Sequence, residues 1–141
     1  MKPVLHALAL SAAVICLTTQ LASAADLTIN ISDIKAARGT VNVAVYTSGQ
    51  SFLKEPLTFT AAPAVQGTTT LTFKDLPAGD YAFAVYHDAN ANGKMDSNLV
   101  GIPTEDYAFS NNAAGNMGPP TFDAARFSLP AAGAALTVSV R

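Results

Sequence analysis

The chain has 141 residues, half of them hydrophobic and only 13% charged, with a formal net charge of −2. That length holds one domain with one sizeable core, and without a basic excess there is no electrostatic footprint of a nucleic-acid binder. A single cysteine, Cys16, excludes a disulfide framework and a cysteine-based zinc site.

Residues 1–24 read as a cleaved signal peptide. Lys2 supplies a positive start, residues 7–17 form a short apolar run, and Ala22-Ser23-Ala24 has the A-x-A form of a cleavage site. The run is shorter than the ~20 residues that a membrane-spanning helix needs. Ala13, Val14 and Ile15, just before Cys16, are not the small residues expected beside a lipid-modified cysteine. The expectation is an exported chain, periplasmic or secreted, cut after Ala24 and without a membrane span. Residues 25–141 then form one domain of 117 residues with seven basic and ten acidic side chains, a net charge of −3 and no cysteine.

From there the pattern is nearly all strand. Leu27, Ile29 and Ile31 alternate with Thr28, Asn30 and Ser32, the two-residue period of a half-buried strand. Gly39 opens a second strand with Val41, Val43 and Val45 on one face, and the intervening Lys35-Ala-Ala-Arg38-Gly39 reads as a hairpin connection. Short strands follow around Leu57 and Phe59, at residues 70–73 with Leu71 and Phe73 inward, at residues 81–87, at residues 127–129, and at residues 136–140. Such strands, punctuated by Gly and Pro, predict an all-β fold: a single antiparallel β-sandwich of about seven strands with one long irregular loop. The turn Leu76-Pro77-Ala78-Gly79-Asp80-Tyr81 resembles the tyrosine corner of Greek-key sandwiches, whose hydroxyl bonds back to the upstream backbone. This L-P-x-G-x-Y pattern is also similar to that of transthyretin-like and other immunoglobulin-like bacterial modules, and it assigns Tyr81 to the fold.

The strand at residues 81–87 runs into Asp88-Ala-Asn90-Ala-Asn92-Gly93-Lys94-Met-Asp96, where oxygen-bearing side chains recur at every second position. Ca²⁺ takes six to eight oxygens, which a chain can supply by curling around the ion. Asp88, Asn90 and Asn92 stand at positions one, three and five, Gly93 at the sharp-turn position six, Lys94 at seven to offer its carbonyl, and Asp96 at nine. These nine residues resemble the calcium loops of EF-hand and dockerin-type motifs. The departure is at position twelve, where Leu99 replaces a bidentate acid, and no flanking helix is present. Glu105 or Asp106 would supply a sixth donor. Two charged ligands and a partly open shell predict weak binding, on the order of 10⁻⁴ to 10⁻³ M. The plainer reading is a solvated turn, since Asn, Asp and Gly are also what turns require.

Residues 98–121 contain Gly101, Pro103, Gly115, Gly118, Pro119 and Pro120 and show no period. Structureless loops beyond ~12–15 residues are usually functional or disordered. Ile102, Tyr107, Phe109, Met117 and Phe122 give this one the means to pack as an ordered cover over one end of the sandwich. A sharper reading makes Tyr107, Phe109 and Asn111 a ligand surface.

The run Y-H-D-x-N-x-N-G-x-x-D, followed by G-I-P-x-E-x-Y-x-F-S-N-N-A and F-D-x-A-x-F, resembles an exported bacterial family known as domain of unknown function 2141. The resemblance spans nearly all of residues 25–141. It implies an exported immunoglobulin-like or transthyretin-like sandwich and brings no activity, substrate or cofactor with it.

The one histidine after residue 24, His87, shares the parity of Tyr81, Phe83 and Val85, which places it at the edge of the core. Ser97, Ser110 and Asp88 would be needed for a hydrolytic site, yet no nucleophile-elbow motif accompanies them. A lone His also falls short of the three protein ligands of catalytic zinc. Glu105 and Asp106 are adjacent, so extended backbone points them to opposite sides, a poor acid/base pair. The expected function is a monomeric, non-catalytic binding module whose calcium loop orders residues 98–121 for a protein or polysaccharide partner. The alternatives are a small periplasmic hydrolase or metalloenzyme centred on His87, or an interaction module without an ion.

Overall fold

The computed structural model describes residues 23–141. Nearly all of the segment read as a signal peptide, including Cys16, lies outside the described residues. The elements in chain order are β1 (Ala24–Ile34), β2 (Thr40–Tyr46), β3 (Thr58–Pro63), β4 (Gly67–Pro77), β5 (Gly79–Asp88), β6 (Tyr107–Phe109), a 3₁₀ turn at Ser110–Asn112, α1 (Phe122–Ala125), β7 (Phe127–Leu129) and β8 (Ala134–Ser139).

Two sheets pack face to face, β4-β1-β8 against β3-β2-β5-β6, with β7 also paired to β5. The two-residue period decides what lies between them. Leu27, Ile29, Ile31, Leu71, Phe73 and Val138 point in from the first sheet, and Val41, Val43, Val45, Phe83 and Val85 from the second, all buried in one cluster. Each fully buried aliphatic or aromatic side chain contributes about 1.5–3 kcal/mol, so this core is the main source of stability. Tyr81 Oη donates to the Pro77 carbonyl at 2.6 Å, the tyrosine corner that the turn sequence predicts. Among the described residues no helix is long and apolar enough to cross a membrane.

The pairing departs from the expected sandwich in two places. β1 and β8 run parallel, from Leu27–Ala134 to Ser32–Ser139, so the sheets are not wholly antiparallel. And Lys35–Gly39 is no hairpin: β1 pairs with β4 and β8, whereas β2 pairs with β3 and β5, so the connection crosses from one sheet to the other. Periodicity states which face a strand buries, not which strand lies beside it. Gly39 has φ +72°, and a Cβ there would stand 1.9 Å from the Asp88 carbonyl oxygen. Only glycine lets the crossover press against the end of β5.

β5 is the axis of the second sheet. β2 borders it from Thr40–Asp88 to Tyr46–Ala82. Its other edge is shared, with β7 facing Gly79–Tyr81 and β6 facing Ala84–Tyr86. The gap between them is closed by Ser110, fully buried, whose hydroxyl accepts from the Phe83 N–H at 3.0 Å and donates to the Ala125 carbonyl. One side chain thus replaces a missing ladder position. The outer face of this sheet carries a second apolar cluster of Tyr46, Phe52, Ala82, Phe109 and Ala125. Residues 98–121 are not an end cap. They supply β6 to the sheet edge, and their apolar side chains Val100, Ile102, Met117 and Pro119 stand over its outer face.

Candidate functional site

Strand parity sorts the residues of β5. Tyr81, Phe83, Val85 and His87 face the core, and Ala82, Ala84, Tyr86 and Asp88 face outward. Asp88 is nevertheless only 1% exposed, because the chain after it folds back over its carboxylate. Asp88 Oδ1 accepts from the Asn92 N–H at 3.1 Å and Oδ2 from the Gly93 N–H at 2.7 Å. This double acceptance curls residues 88–93 into a loop, and Gly93, at φ +79°, adopts the left-handed turn that its position requires.

The opposite wall is Asp96. Its carboxylate accepts from Asn90 Nδ2 at 2.7 Å and from Asn92 Nδ2 at 2.9 Å. These bonds hold the Asp96 carboxyl below its ordinary value, Asn92 contributing most, then Asn90. The amide oxygens meanwhile accept from backbone: Asn90 Oδ1 from the Asn92 N–H, Asn92 Oδ1 from the Lys94 N–H. Glu105 joins from downstream, Oε1 accepting from the Ala89 N–H at 3.2 Å and Oε2 from the Asp96 N–H at 3.0 Å. Asp106 turns the other way, to Lys35 at 2.8 Å.

The fold therefore brings together Asp88, Asn90, Asn92, Asp96 and Glu105, with Lys94 joined through its backbone N–H. Their donors are hard oxygens, the chemistry that suits Ca²⁺ rather than a soft metal. The amide nitrogens of Asn90 and Asn92 now stand against Asp96, where an ion shared by these three residues would require amide oxygens. An amide rotation separates the two arrangements. Among the described residues no three His, Cys, Asp or Glu side chains converge at metal-ligating separation, so an ion here would rely on amide and main-chain oxygens as well. Leu99, at position twelve, lies in a small hairpin closed by the Ser97–Pro103 bridge and is fully exposed. It contributes nothing to the loop.

His87 is buried, and its Nε2 lies 2.7 Å from the Arg38 carbonyl oxygen. A carbonyl only accepts, so Nε2 carries the proton and is committed to the crossover. Ser110 is likewise committed to the gap in the sheet, and Asn111 donates to the Arg126 carbonyl at 2.8 Å. The side-chain hydrogen bonds of His87 and Asp88 thus go to the Arg38 carbonyl and to the Asn92 and Gly93 N–H groups, not to Ser97 or Ser110.

Beside the loop of residues 88–96 lies a feature that no motif announced. A cavity of about 990 Å³ opens on the outer face of the second sheet. Its floor is Ala44 and Ala84, direct cross-strand partners, and the same row continues to Phe59 on β3 and Phe109 on β6. Small residues in the middle and aromatics at both flanks make a trough. Tyr86 stands further along the floor, its hydroxyl pKa pushed up by burial first and then by the charges of Asp88 and Glu105. Gly93 and Met95 of this loop and Ser97 at its exit line the same cavity, so loop and trough share a wall. Tyr107 and Phe109 line it as well, whereas Asn111 does not. The one sequence signal was alanine, with Ala44, Ala82 and Ala84 at outward positions where an open sheet face would be polar.

No curated protein and no solved structure matches the chain. The model of one bacterial family does, over residues 29–137, from the middle of β1 through residues 88–96 and the trough to β8. That span holds most of both sheets and every candidate residue, and the chain belongs to this family, described as an uncharacterized protein conserved in bacteria, domain of unknown function 2141.

Proposed function

We propose that the protein is a non-catalytic, exported binding module in which Ca²⁺, held by residues 88–96 with Glu105, fixes residues 98–121 against the outer face of the second sheet. The observation that supports this reading is the position of Glu105. Its carboxylate receives N–H groups from both ends of the loop, Ala89 and Asp96. An ion drawn in by Asp88 and Asp96 therefore also fixes the segment that carries Glu105 and, two residues later, β6. The periplasm or the exterior supplies calcium at the concentrations that such weak loops need. His87 takes a structural part in this reading, its ring spent on the Arg38 carbonyl.

Amide hydrogen exchange tests the proposal. With calcium added to metal-stripped protein, protection should rise across residues 98–121 and stay constant in the core strands. With Asp88→Ala and Asp96→Ala combined, the rise should vanish. Equal protection with and without the ion in the native chain would overturn it.

A further inference from the structure

We infer that the trough over Ala44 and Ala84 is a binding site for a neutral, largely hydrocarbon small molecule. The inference rests on reading the domain as a binding module, but not on its ion. Four strands and the segment around β6 shape the cavity: β2 and β5 as floor, β3 with Leu53 and Pro56 on one flank, β6 on the other, and the rest of residues 98–121 above. Its volume lies within the ~300–1,000 Å³ of ligand sites. A concave space of this form takes a molecule that enters it, whereas a protein face would need a flatter surface.

The chemistry of the lining selects the ligand. Asn42, Tyr46, Tyr86, Ser97 and Tyr107 are its polar residues, and no Lys, Arg, His, Asp or Glu lies among the lining residues. Nothing in the trough neutralises a charged group, and a charge buried without a partner is strongly disfavoured. The adjacent carboxylates Asp88, Asp96 and Glu105 further repel an anion. Hydroxyl and amide groups at the edge suit a ligand with one neutral hydrogen-bonding group. The apolar surface left in water points the same way: Phe59 is 74% exposed, Val100 77% and Met117 103%. Hydrocarbon seated on the alanine floor would cover these side chains, and covering apolar area is the driving force available here.

The test is fluorescence titration of the full folded domain with N-phenyl-1-naphthylamine, a neutral apolar dye, against 1-anilinonaphthalene-8-sulfonate, which adds an anionic group to the same rings. Both are run with calcium and with chelator. The neutral dye should saturate a single site and bind about tenfold more tightly than the anion. Phe59→Ser, on an edge strand and outside the core, should weaken it about tenfold by removing one flank. Ala84→Trp should abolish binding by filling the floor. Failure of the neutral dye to saturate, or equal binding by the native chain and Phe59→Ser, overturns the inference. So does a dye response that tracks dimer formation in size-exclusion chromatography, or binding to neutral phosphatidylcholine vesicles without dye uptake. If the trough binds the dye while calcium leaves the stability of the domain unchanged, the ion reading fails and this one stands. A calcium-dependent stabilisation without dye binding gives the reverse.

Discussion

The proposal that residues 88–96 hold Ca²⁺ makes a quantitative prediction for thermal unfolding. A ligand that binds only the native state stabilises it by RT ln(1 + [L]/Kd), so about 10 mM Ca²⁺ against a Kd of 10⁻⁴ to 10⁻³ M gives roughly 1.4–2.7 kcal/mol. An unfolding entropy of ~2.1 cal/mol/K per residue amounts to roughly 250 cal/mol/K for a domain of about 120 residues, which converts that gain to a rise in Tm of about 6–11 °C. Mg²⁺, which keeps its water and demands a tighter shell, should give much less. The variant combining Asp88→Ala and Asp96→Ala should lose the rise. It should also start lower, because Asp88 is buried and its carboxylate accepts two backbone N–H groups. These donors lie near the surface and can turn to water, so Asp88 accounts for about 1–2 kcal/mol at the low end of the range for lost partners. The assay is a melting series on metal-stripped protein by circular dichroism. A calcium shift below about 2 °C in the native chain, or an equal shift in the double variant, would refute the assignment of residues 88–96 as an ion site.

Other groups make sharper structural predictions. Tyr81→Phe deletes one side chain to backbone bond and should cost about 1 kcal/mol, near 4 °C in Tm, while leaving the calcium response intact; an unchanged Tm would show that the corner contributes nothing net. Ser110→Ala strands the Phe83 N–H and the Ala125 carbonyl in a buried gap and should cost about 2–3 kcal/mol in urea unfolding, with a loss under about 0.5 kcal/mol counting against the plug. Asp33 joins the β1 bulge to β8, and hydrogen bonds from Ser139 and then Ser32 hold its carboxyl below the ordinary 3.8. A depressed folded pKa gives stability that is present above the unfolded value and lost as pH falls through the folded one. An NMR titration should therefore place the Asp33 midpoint below 3.8, and Asp33→Asn should flatten the acid limb of the stability profile.

The parity of the strands was legible because it is local. Leu27, Ile29, Ile31 and Val41, Val43, Val45 announce their buried faces at two-residue spacing, and the Pro77–Tyr81 turn announces its own hydrogen bond. Partnership was not legible, since Lys35–Gly39 suits a hairpin or a crossover equally well and the choice depends on β4 and β8 far along the chain. The loop was legible as a set of residues: Asp88, Asn90, Asn92, Asp96 and Glu105 come together. The bonds now made by the amides of Asn90 and Asn92 were not, because those amides can present either end. The trough was legible only in Tyr107 and Phe109, offered as a ligand surface, which line it while Asn111 does not. It has no motif, only Phe59, Ala44, Ala84 and Phe109, four residues from four strands that meet in one row after folding.

That row also fixes how an ion and a ligand can influence one another. Ala84, Tyr86 and Asp88 are successive outward positions of β5, so the trough floor and the first loop carboxylate lie roughly 13 Å apart along one rigid strand. Hydrogen bonding to β2 from Ala82 to Asp88 holds that distance, and no ion can alter it. What an ion can alter is the far side, Asp96 and Glu105, together with the chain between and beyond them that supplies Met95, Ser97 and the roof. Calcium bound to residues 88–96 would act on the wall and not on the floor. Its effect on a trough ligand should therefore fall on how long the ligand stays, since a looser wall frees the exit, and less on which ligand fits, which the alanines and aromatics of the sheet decide.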